Sequence, residues 1–417
     1  MAPRQKADAA RCRRRRRSSL TTWEADLRRS ASNVFTRDGM NRRNGTLAAV
    51  ATSIVFCLIS VATLRGQAPS APRAPMAEEV FKNIQVLKGI PVDQFMGTMG
   101  IFASALGKNC SECHGIESGG NWALYAQDTP LKQTARRMVL MVKQINDTNF
   151  GGRQMVTCYS CHRVQARPKV TPSLVALYGA PPDEPDDIVT PASAAPKPDE
   201  IFDKYLTAIG GTARVAALTS YTAKGTYQGF DDADPHALEV SVRAPNQRLW
   251  IWHSGFGDHS MVYNGRDGWV TASQEERPFP VELLTGQELD GTRLEVELTF
   301  PTRIKQALTQ LRVGIPASIN DRDVQVVQGR TTAGTLVTLF FDMETGLLTR
   351  LMRYTDSPVG RIVTQYDYED YRPVAGVRIP FKWTRTWLDG RSVFQLTEVQ
   401  PNVNVPPDRF AGPPQRR

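Results

Sequence analysis

The chain has 417 residues, of which 41% are hydrophobic and 22% are charged, and its formal net charge is +9. This length and composition exclude a small disulfide-stapled peptide and allow two or three folded units. The net charge would suggest a nucleic-acid partner, but residues 1–46 hold 13 Lys and Arg against 4 Asp and Glu, and the rest of the chain carries 38 of each sign. We therefore expect no nucleic-acid binding.

The basic leader of residues 1–46 is followed by an apolar segment, residues 47–64, that contains no charged side chain. Positive charge ahead of an apolar segment of this length is typical of a membrane anchor or a signal peptide. We favour an uncleaved anchor, with a released signal peptide as the alternative, and the true start is Met1 or Met40. Either interpretation places the remaining chain on the periplasmic face of the bacterial inner membrane.

The next predicted element is a helix over residues 92–106. Its apolar residues recur with the spacing of one helix face: Val92, Phe95, Met96, Met99, Phe102 and Leu106. Gly107 follows directly and is expected to end the helix.

A pentapeptide pattern, Cys-x-x-Cys-His, then occurs twice, first over residues 110–114 and again over residues 158–162. Two cysteines one helical turn apart can form thioethers with haem vinyl groups while the adjoining histidine ligates the iron. The rival interpretations are a redox cysteine pair or a zinc site. We predict two covalently bound haem c groups, held by Cys110, Cys113, His114, Cys158, Cys161 and His162.

Around these two runs the sequence resembles the cytochrome subunit of bacterial photosynthetic reaction centres. The similar words are Phe81-Lys-Asn-Ile-Gln-Val-Leu87, Phe95-Met-Gly-Thr-Met99, Ala135-Arg-Arg-Met138, Ile145-Asn146 and Val156-Thr-Cys-Tyr-Ser-Cys-His-Arg163. The resemblance covers about residues 76–168 and implies a small helical dihaem domain. It also implies that a methionine on the helix before each run is the sixth iron ligand, which assigns that role to Met99 and Met138.

Sequence reasoning by itself leaves competitors for both methionine positions. Met96 lies one turn from Met99, and Met141 lies one turn from Met138. One methionine of each pair can simply fill space in the core. Met155 is only three residues before the second run and is judged too close to reach across a haem.

The resemblance implies electron transfer and no enzymatic activity. Proteins of that family carry four haems in two pairs, whereas this chain has two attachment runs and so one pair. We expect a soluble periplasmic electron donor and a membrane acceptor, which is a reaction centre or a respiratory complex. The alternatives are a dihaem peroxidase or oxidase, with an open iron position, and a redox-sensing lipid- or lipoprotein-binding protein.

A proline-rich linker, residues 169–198, separates the haem region from a second predicted domain, residues 199–410. Few contacts are expected to cross it. The second domain begins with a short helix and continues with alternating strands, of which the clearest are 238–242, 249–252, 261–263 and 335–341. The predicted fold class is multidomain α + β, with an N-terminal anchor, an all-α dihaem module and a curled antiparallel sheet with helices.

The second domain resembles the lipoprotein-carrier fold of bacterial periplasmic chaperones. The similar words are Tyr205-Leu-Thr-Ala-Ile-Gly-Gly211, Tyr263-Asn-Gly-Arg-Asp-Gly-Trp269, Phe341-Asp-Met-Glu-Thr-Gly-Leu-Leu348, Tyr366-Asp-Tyr-Glu-Asp-Tyr371 and Val377-Arg-Ile-Pro-Phe381. The resemblance implies an architecture and leaves room for a lipid or acyl ligand. The three histidines of this domain, His236, His253 and His259, are interpreted as surface or loop residues.

Overall fold

The computed structural model describes residues 73–118, 121–179, 188–229, 234–255, 257–272 and 279–412. The basic leader and the apolar segment predicted as an anchor lie outside the described residues. Within the described part of the chain, no helix is both long enough and apolar enough to cross a membrane.

The described chain begins with helices and ends with a large antiparallel sheet, as the predicted fold class requires. The helices are α1 (Ala77–Val80), α2 (Val92–Leu106), α3 (Cys110–His114), α4 (Pro130–Phe150), α5 (Cys158–His162), α6 (Leu174–Tyr178), α7 (Pro198–Ala208), α8 (Thr212–Ala217), α9 (Gly286–Glu297) and α10 (Ile304–Ala307). Short 3₁₀ turns lie at Ile116–Ser118, Trp122–Ala126, Pro301–Arg303 and Pro407–Phe410.

Helix α2 has the predicted bounds and ends at Gly107, which adopts a left-handed conformation with φ 60°. Glycine is needed there, because a Cβ atom would lie 2.5 Å from the backbone oxygen of Val164. The C-terminal end of α2, just ahead of the first attachment run, therefore touches the chain that leaves the second run.

On the predicted face of α2 only Val92 is buried, and the other buried residues of the helix lie off that face. The buried residues include Thr98, Ile101 and Ala105, and of these Ile101 and Ala105 lie on the side of the helix away from Met96 and Met99. Small residues on the buried side, such as Gly97, allow the sheet to approach closely. The predicted apolar face is mostly half-buried, because the sheet covers the other side of the helix.

Within the described residues the sheet has 14 strands, and nearly all of them pair with their neighbours in sequence. The strands are β1 (Ser220–Gln228), β2 (His236–Arg243), β3 (Gln247–Ser254), β4 (Gly257–Tyr263), β5 (Gly268–Thr271), β6 (Val281–Leu283), β7 (Thr309–Val313), β8 (Ala317–Ile319), β9 (Arg322–Arg330), β10 (Leu336–Asp342), β11 (Leu348–Ser357), β12 (Gly360–Val374), β13 (Val377–Trp387) and β14 (Gly390–Pro401). The order is β6-β5-β4-β3-β2-β1-β14-β13-β12-β11-β10-β9-β7, with β8 paired to β9. The four predicted strands are confirmed as β2, β3, β4 and β10.

The core of the sheet domain is built from aromatic and aliphatic side chains on one face of the sheet, covered by helices. Phe202 of α7 is completely buried, with its ring centroid 5.9 Å from that of Phe341 in β10. Trp250, Trp383 and Phe394 form a second aromatic group, with centroid distances of 4.9–5.3 Å. These contacts contribute hydrophobic burial together with edge and stacking interactions.

A buried ionic network joins α9 to the sheet. The Arg353 guanidinium donates to Glu295 at 2.5 Å and to both oxygens of Glu288 at 2.6 and 2.7 Å. Arg248 and Tyr366 also donate to Glu295, at 3.1 and 2.8 Å. Burial alone would raise the pKa of Glu288, but Arg353 holds it at about 2, so the carboxylate stays ionised.

The structure corrects the sequence interpretation of His259, whereas His236 and His253 are partly exposed. All three lie in strands, and His259 is buried, with its ring stacked on Trp252 at a centroid distance of 5.3 Å. Its Nε2 atom lies 3.1 Å from the Ser254 hydroxyl. His259 alternates with the buried strand residues Met261 and Tyr263, so its imidazole packs in the core like an aromatic ring. The turn residues next to it in the sequence had suggested a loop.

The expectation that few contacts join the haem region to the sheet is wrong. The described residues, from 73 to 412, form one compact unit, and α2 packs against β6, β11 and β12. Part of the linker also follows the sheet, because the backbone N–H of Ala192 donates to the Val313 carbonyl at 3.1 Å. The boundaries 76–168 and 199–410 themselves stay a prediction.

Candidate functional site

The first attachment run forms α3, a five-residue helix that is too short to be stable in isolation. Asn109 caps it: its side-chain oxygen accepts the Glu112 backbone N–H at 3.0 Å, and the Glu112 carboxylate accepts the Asn109 N–H at 2.9 Å. The Thr129 hydroxyl donates to the Cys113 carbonyl at 2.6 Å. These bonds hold the two cysteines and the histidine of the run in helical register.

The imidazole of His114 is oriented by a backbone carbonyl. Its Nδ1 atom lies 3.1 Å from the Tyr125 carbonyl oxygen, and its ring packs against the Tyr125 ring at a centroid distance of 4.5 Å. A carbonyl can only accept, so Nδ1 carries the proton and Nε2 keeps its lone pair. Burial lowers the pKa of His114, which favours the neutral imidazole that a metal ion requires.

The second run, α5, repeats this construction with other residues. Thr157 caps the helix through Ser160, and Arg163 ends it in a left-handed conformation with φ 46°. The Nδ1 atom of His162 lies 2.9 Å from the Gln165 carbonyl oxygen. Both histidines therefore present Nε2 as the available ligand atom, because a hydrogen bond from Nδ1 to a carbonyl fixes the ring as it does in metal sites.

The cysteines of the two runs differ in exposure. Cys158 is buried, whereas Cys110 and Cys161 are exposed and Cys113 is half-buried. Burial raises the pKa of the Cys158 thiol to about 11, and it also raises that of Cys113. Among the described residues, no group of three or more His, Cys, Asp or Glu side chains is arranged to hold a metal ion.

The predicted methionine ligands lie on helices that pack beside the runs. Met99 of α2 is half-buried in an apolar cluster that includes Cys158, and α2 packs along α5. Helix α4, which carries Met138, packs against α3. Met138 is half-buried, whereas Met141 is 41% exposed. The pairing of each methionine with one iron stays a prediction.

The surroundings of both runs fit a haem. Large apolar side chains that flank the runs are exposed: Ile116 is 82% exposed, Met155 59%, Tyr159 40% and Val164 58%. The apolar face of α2 is also only half-buried by protein. A flat apolar macrocycle attached at the cysteines would cover such surfaces, and exposed apolar surface usually marks a binding site.

Sequence reasoning missed two contacts between the haem region and the sheet. The Cys158 backbone N–H donates to the Val359 carbonyl at 3.3 Å, in the turn between β11 and β12. The Asp93 carboxylate, in the first turn of α2, accepts the Thr285 N–H at 2.6 Å and its hydroxyl at 2.9 Å. Burial raises the pKa of Asp93 to about 6. Both contacts join residues that are about 200 positions apart, and no sequence motif indicates that such distant residues meet.

Comparison with known proteins concerns two parts of the chain. Residues 53–180 match the family described as "Photosynthetic reaction centre cytochrome C subunit". The "Photosynthetic reaction center cytochrome c subunit" of Thermochromatium tepidum is 36% identical over 99 residues, which are 23% of this chain and 23% of that protein. The match therefore spans about a quarter of the length of that relative.

Among solved structures, a LolA superfamily protein from Nitrosomonas europaea is similar over 52% of this chain and 99% of its own, with 16% identity and a TM-score of 0.36. A putative outer membrane lipoprotein-sorting protein domain from Vibrio parahaemolyticus is similar over 51% of this chain and 94% of its own, with 10% identity and a TM-score of 0.36. TM-scores this low carry no argument about function. The resemblance predicted from the attachment runs is confirmed: residues 53–180 are similar to the cytochrome c subunit of photosynthetic reaction centres.

Proposed function

We propose that this protein is a membrane-tethered dihaem c-type cytochrome that passes electrons from a soluble periplasmic donor to a membrane complex. The observation that carries the proposal is the repeated geometry of the two runs. Each is a capped helix whose histidine donates from Nδ1 to a backbone carbonyl and so presents Nε2. Such a pair of imidazoles beside paired cysteines suits two covalently held haems.

In this proposal the cysteines of the two runs attach the haems and the histidines ligate the irons. Cys110 and Cys113 would attach the first haem, and His114 would ligate its iron. Cys158, Cys161 and His162 would do the same for the second haem. A bound haem supplies a reversible one-electron carrier, and the protein sets its position, its ligands and its exposure to water.

Met99 and Met138 are proposed as the sixth ligands, with Met141 as the competitor of Met138. A thioether ligand raises the potential relative to a second imidazole. If both methionines bind, the irons would have no open site for peroxide or oxygen. This distinguishes an electron carrier from a dihaem peroxidase or oxidase.

The location and partners belong to the same proposal. Residues 47–64 would tether the chain to the periplasmic face of the inner membrane, beside the accepting complex. The acceptor is a reaction centre or a respiratory complex. A lipid ligand of the sheet domain is a further proposal, which the lipoprotein-carrier resemblance motivates.

Haem content tests the function directly. Purified full-length protein, made in cells that attach haem c, should give two haems per chain by pyridine haemochrome analysis. The double variant Cys110→Ala/Cys113→Ala should give one. One haem or none in the wild-type chain would contradict the proposal.

The absorption spectrum of the ferric protein distinguishes an electron carrier from a dihaem peroxidase. Iron bound by a thioether sulfur should show a weak far-red charge-transfer band and a low-spin signal. A high-spin haem that reacts with peroxide would instead favour the peroxidase alternative.

A further inference from the structure

The second attachment run is more open to solvent than the first in the part of the chain that the structure describes. Residues 159–161 are exposed, and so is every residue from 163 to 175 in the chain that leaves the run. Cys158, at the start of the run, is buried. At the first run, Cys113 and His114 are half-buried. A haem attached at the second run would therefore have less protein over its edge, through which a cytochrome exchanges electrons.

Basic side chains accompany the second run, and the sequence around it holds no acidic one. Residues 148–172, which are the run with ten positions on each side, contain no Asp or Glu. They contain four basic residues, all of them exposed: Arg153, Arg163, Arg167 and Lys169. The corresponding stretch around the first run, residues 100–124, holds one basic and two acidic residues. The two runs therefore differ in the charge of their surroundings.

The basic residues near the two runs also differ in their partners. At the first run, Lys108 pairs with Glu112 at 2.8 Å. At the second, the Arg153 Nε atom donates to the Phe150 carbonyl at 3.3 Å. Within the residues that the structure describes, no ion pair involves any of the four cations around the second run. Their positive charge is therefore not neutralised by a neighbouring carboxylate.

Carboxylates from other parts of the molecule do not cancel this charge. Asp147, the acidic residue nearest to the second run in the sequence, pairs with Lys143. The sheet adds Asp356, which pairs with Arg361 at 3.2 Å, and Asp389, which lies against α2. The four cations outnumber these three carboxylates, and two of the carboxylates already have a basic partner.

We propose that the surface around the second run is the docking surface for the soluble electron donor, and that this donor is a protein with an acidic surface around its own redox centre. The docking surface consists of the haem edge at Cys161 and a rim of four cations, Arg153, Arg163, Arg167 and Lys169. This inference rests on the proposed function. Complementary charge speeds the encounter of two proteins and orients them, while a small polar interface lets the donor leave again.

The electron step needs no other reactant. One electron passes from the reduced donor to the ferric iron of the second haem, so that the donor is oxidised and the iron becomes ferrous. No bond forms or breaks and no proton moves in this step. The ferrous second haem can then reduce the first haem or the membrane complex.

An anionic membrane surface is the competing occupant of this face. Beyond the cations, Leu174 is 70% exposed, and Val175 and Tyr178 are each 83% exposed. Basic and apolar side chains together can also bind lipid headgroups. We favour the donor because the cations lie on both sides of the run in the chain. A lipid surface held there would cover the more open of the two attachment runs.

The first test uses two small reductants of opposite charge, anionic Fe(II)–EDTA and cationic hexaammineruthenium(II), on the full-length holoprotein. Variants that lack one pair of attachment cysteines assign the two haems. At low ionic strength, the ratio of the anionic to the cationic reduction rate should be about tenfold higher at the second haem than at the first. High salt should remove the difference. The ratio compares two reagents at the same haem, so it reports local charge.

Charge reversal locates the effect. Arg167→Glu/Lys169→Glu should lower the rate ratio at the second haem to that of the first or below it, with two haems still bound per chain. The matched control is Lys224→Glu/Arg378→Glu, which makes the same change in net charge at two exposed strand residues. Arg378 pairs with Pro373 near the end of β12 that is remote from Gly360, so this control should leave the ratio unchanged. Arg167→Gln/Lys169→Gln should have a smaller effect and serves if the glutamate variant does not fold.

The second test measures binding without electron transfer. Oxidised flavodoxin, an acidic protein, should bind the oxidised holoprotein at low salt and should bind Arg167→Glu/Lys169→Glu about tenfold more weakly. A basic class I cytochrome c should not bind this surface. Vesicles of anionic phospholipid should bind the wild type and the variant equally.

A rate ratio that is equal at both haems, or that favours the cationic reductant at the second, would overturn the inference. It would also be overturned if the charge reversal weakened vesicle binding and left flavodoxin binding unchanged, because the surface would then face the membrane. Two haems per chain in these experiments would leave the proposed function standing. A wild-type chain without haem would overturn both.

Discussion

The two attachment runs have the same pentapeptide pattern, but different parts of the molecule pack against them. The first run, α3, is held by residues close to it in sequence, among them Asn109 and Tyr125. The second, α5, is held by its own cap and also by the sheet through Val359. Local sequence is therefore sufficient to form the ligand geometry, whereas tertiary packing gives each run a different degree of burial.

This comparison predicts that damage to the sheet affects the second haem before the first. It also predicts that a change at Met99 in α2, which packs against the sheet and along the second run, reports on which haem Met99 serves. Three variants test these expectations.

Arg353→Ala should have the largest effect on stability. It would leave the buried carboxylates of Glu288 and Glu295 without their main partner, at a cost of about 3–5 kcal/mol. Urea unfolding should show a lower midpoint, and the absorbance of the second haem should change before that of the first. The matched control is Arg350→Ala on the same strand, whose partly exposed pair with Asp367 should contribute only about 1 kcal/mol or less. Equal losses in both variants would contradict the structural role of the buried network.

Met99→His should leave haem attached and lower one midpoint potential, because imidazole stabilises ferric iron relative to a thioether. We expect the shift at the first haem, as the family resemblance implies. A redox titration combined with the Cys158→Ala/Cys161→Ala background assigns it. Met96→His is the control and should leave both potentials unchanged. A shift confined to the second haem would pair Met99 with the run beside which it packs.

Asp93→Asn should have a smaller effect, visible in the pH dependence of stability. Burial raises the pKa of Asp93 from 3.8 to about 6, so the folded state binds its proton more tightly than the unfolded chain. The free energy of unfolding should therefore fall as pH rises from about 4 to about 6, by about 3 kcal/mol from this group.

The asparagine variant keeps an oxygen that can accept from Thr285 but cannot ionise. Urea unfolding at several pH values should show that the difference between variant and wild type grows through this interval and is constant above it. A wild-type chain whose stability has the same pH dependence as the variant would show that Asp93 is not buried at the contact between α2 and the sheet.

The sequence by itself determined the local features of this protein. Helix α2 and its end at Gly107 follow from apolar periodicity and from the backbone freedom of glycine, and both are observed. The strands β2, β3, β4 and β10 follow from alternation and turn residues. The cysteine and histidine positions of both runs were likewise readable, because attachment chemistry requires a fixed local spacing.

Only the tertiary structure decided which side of α2 is buried, that His259 lies in the core, and that Val359 meets Cys158. Apolar periodicity predicts that a helix has an apolar face, but it does not predict whether the protein buries that face or another one. The contact between the sheet and the second run joins positions about 200 residues apart, and such a contact depends on how the whole sheet folds. The difference between the two runs is therefore absent from their shared motif and arises from the packing of the sheet against one of them.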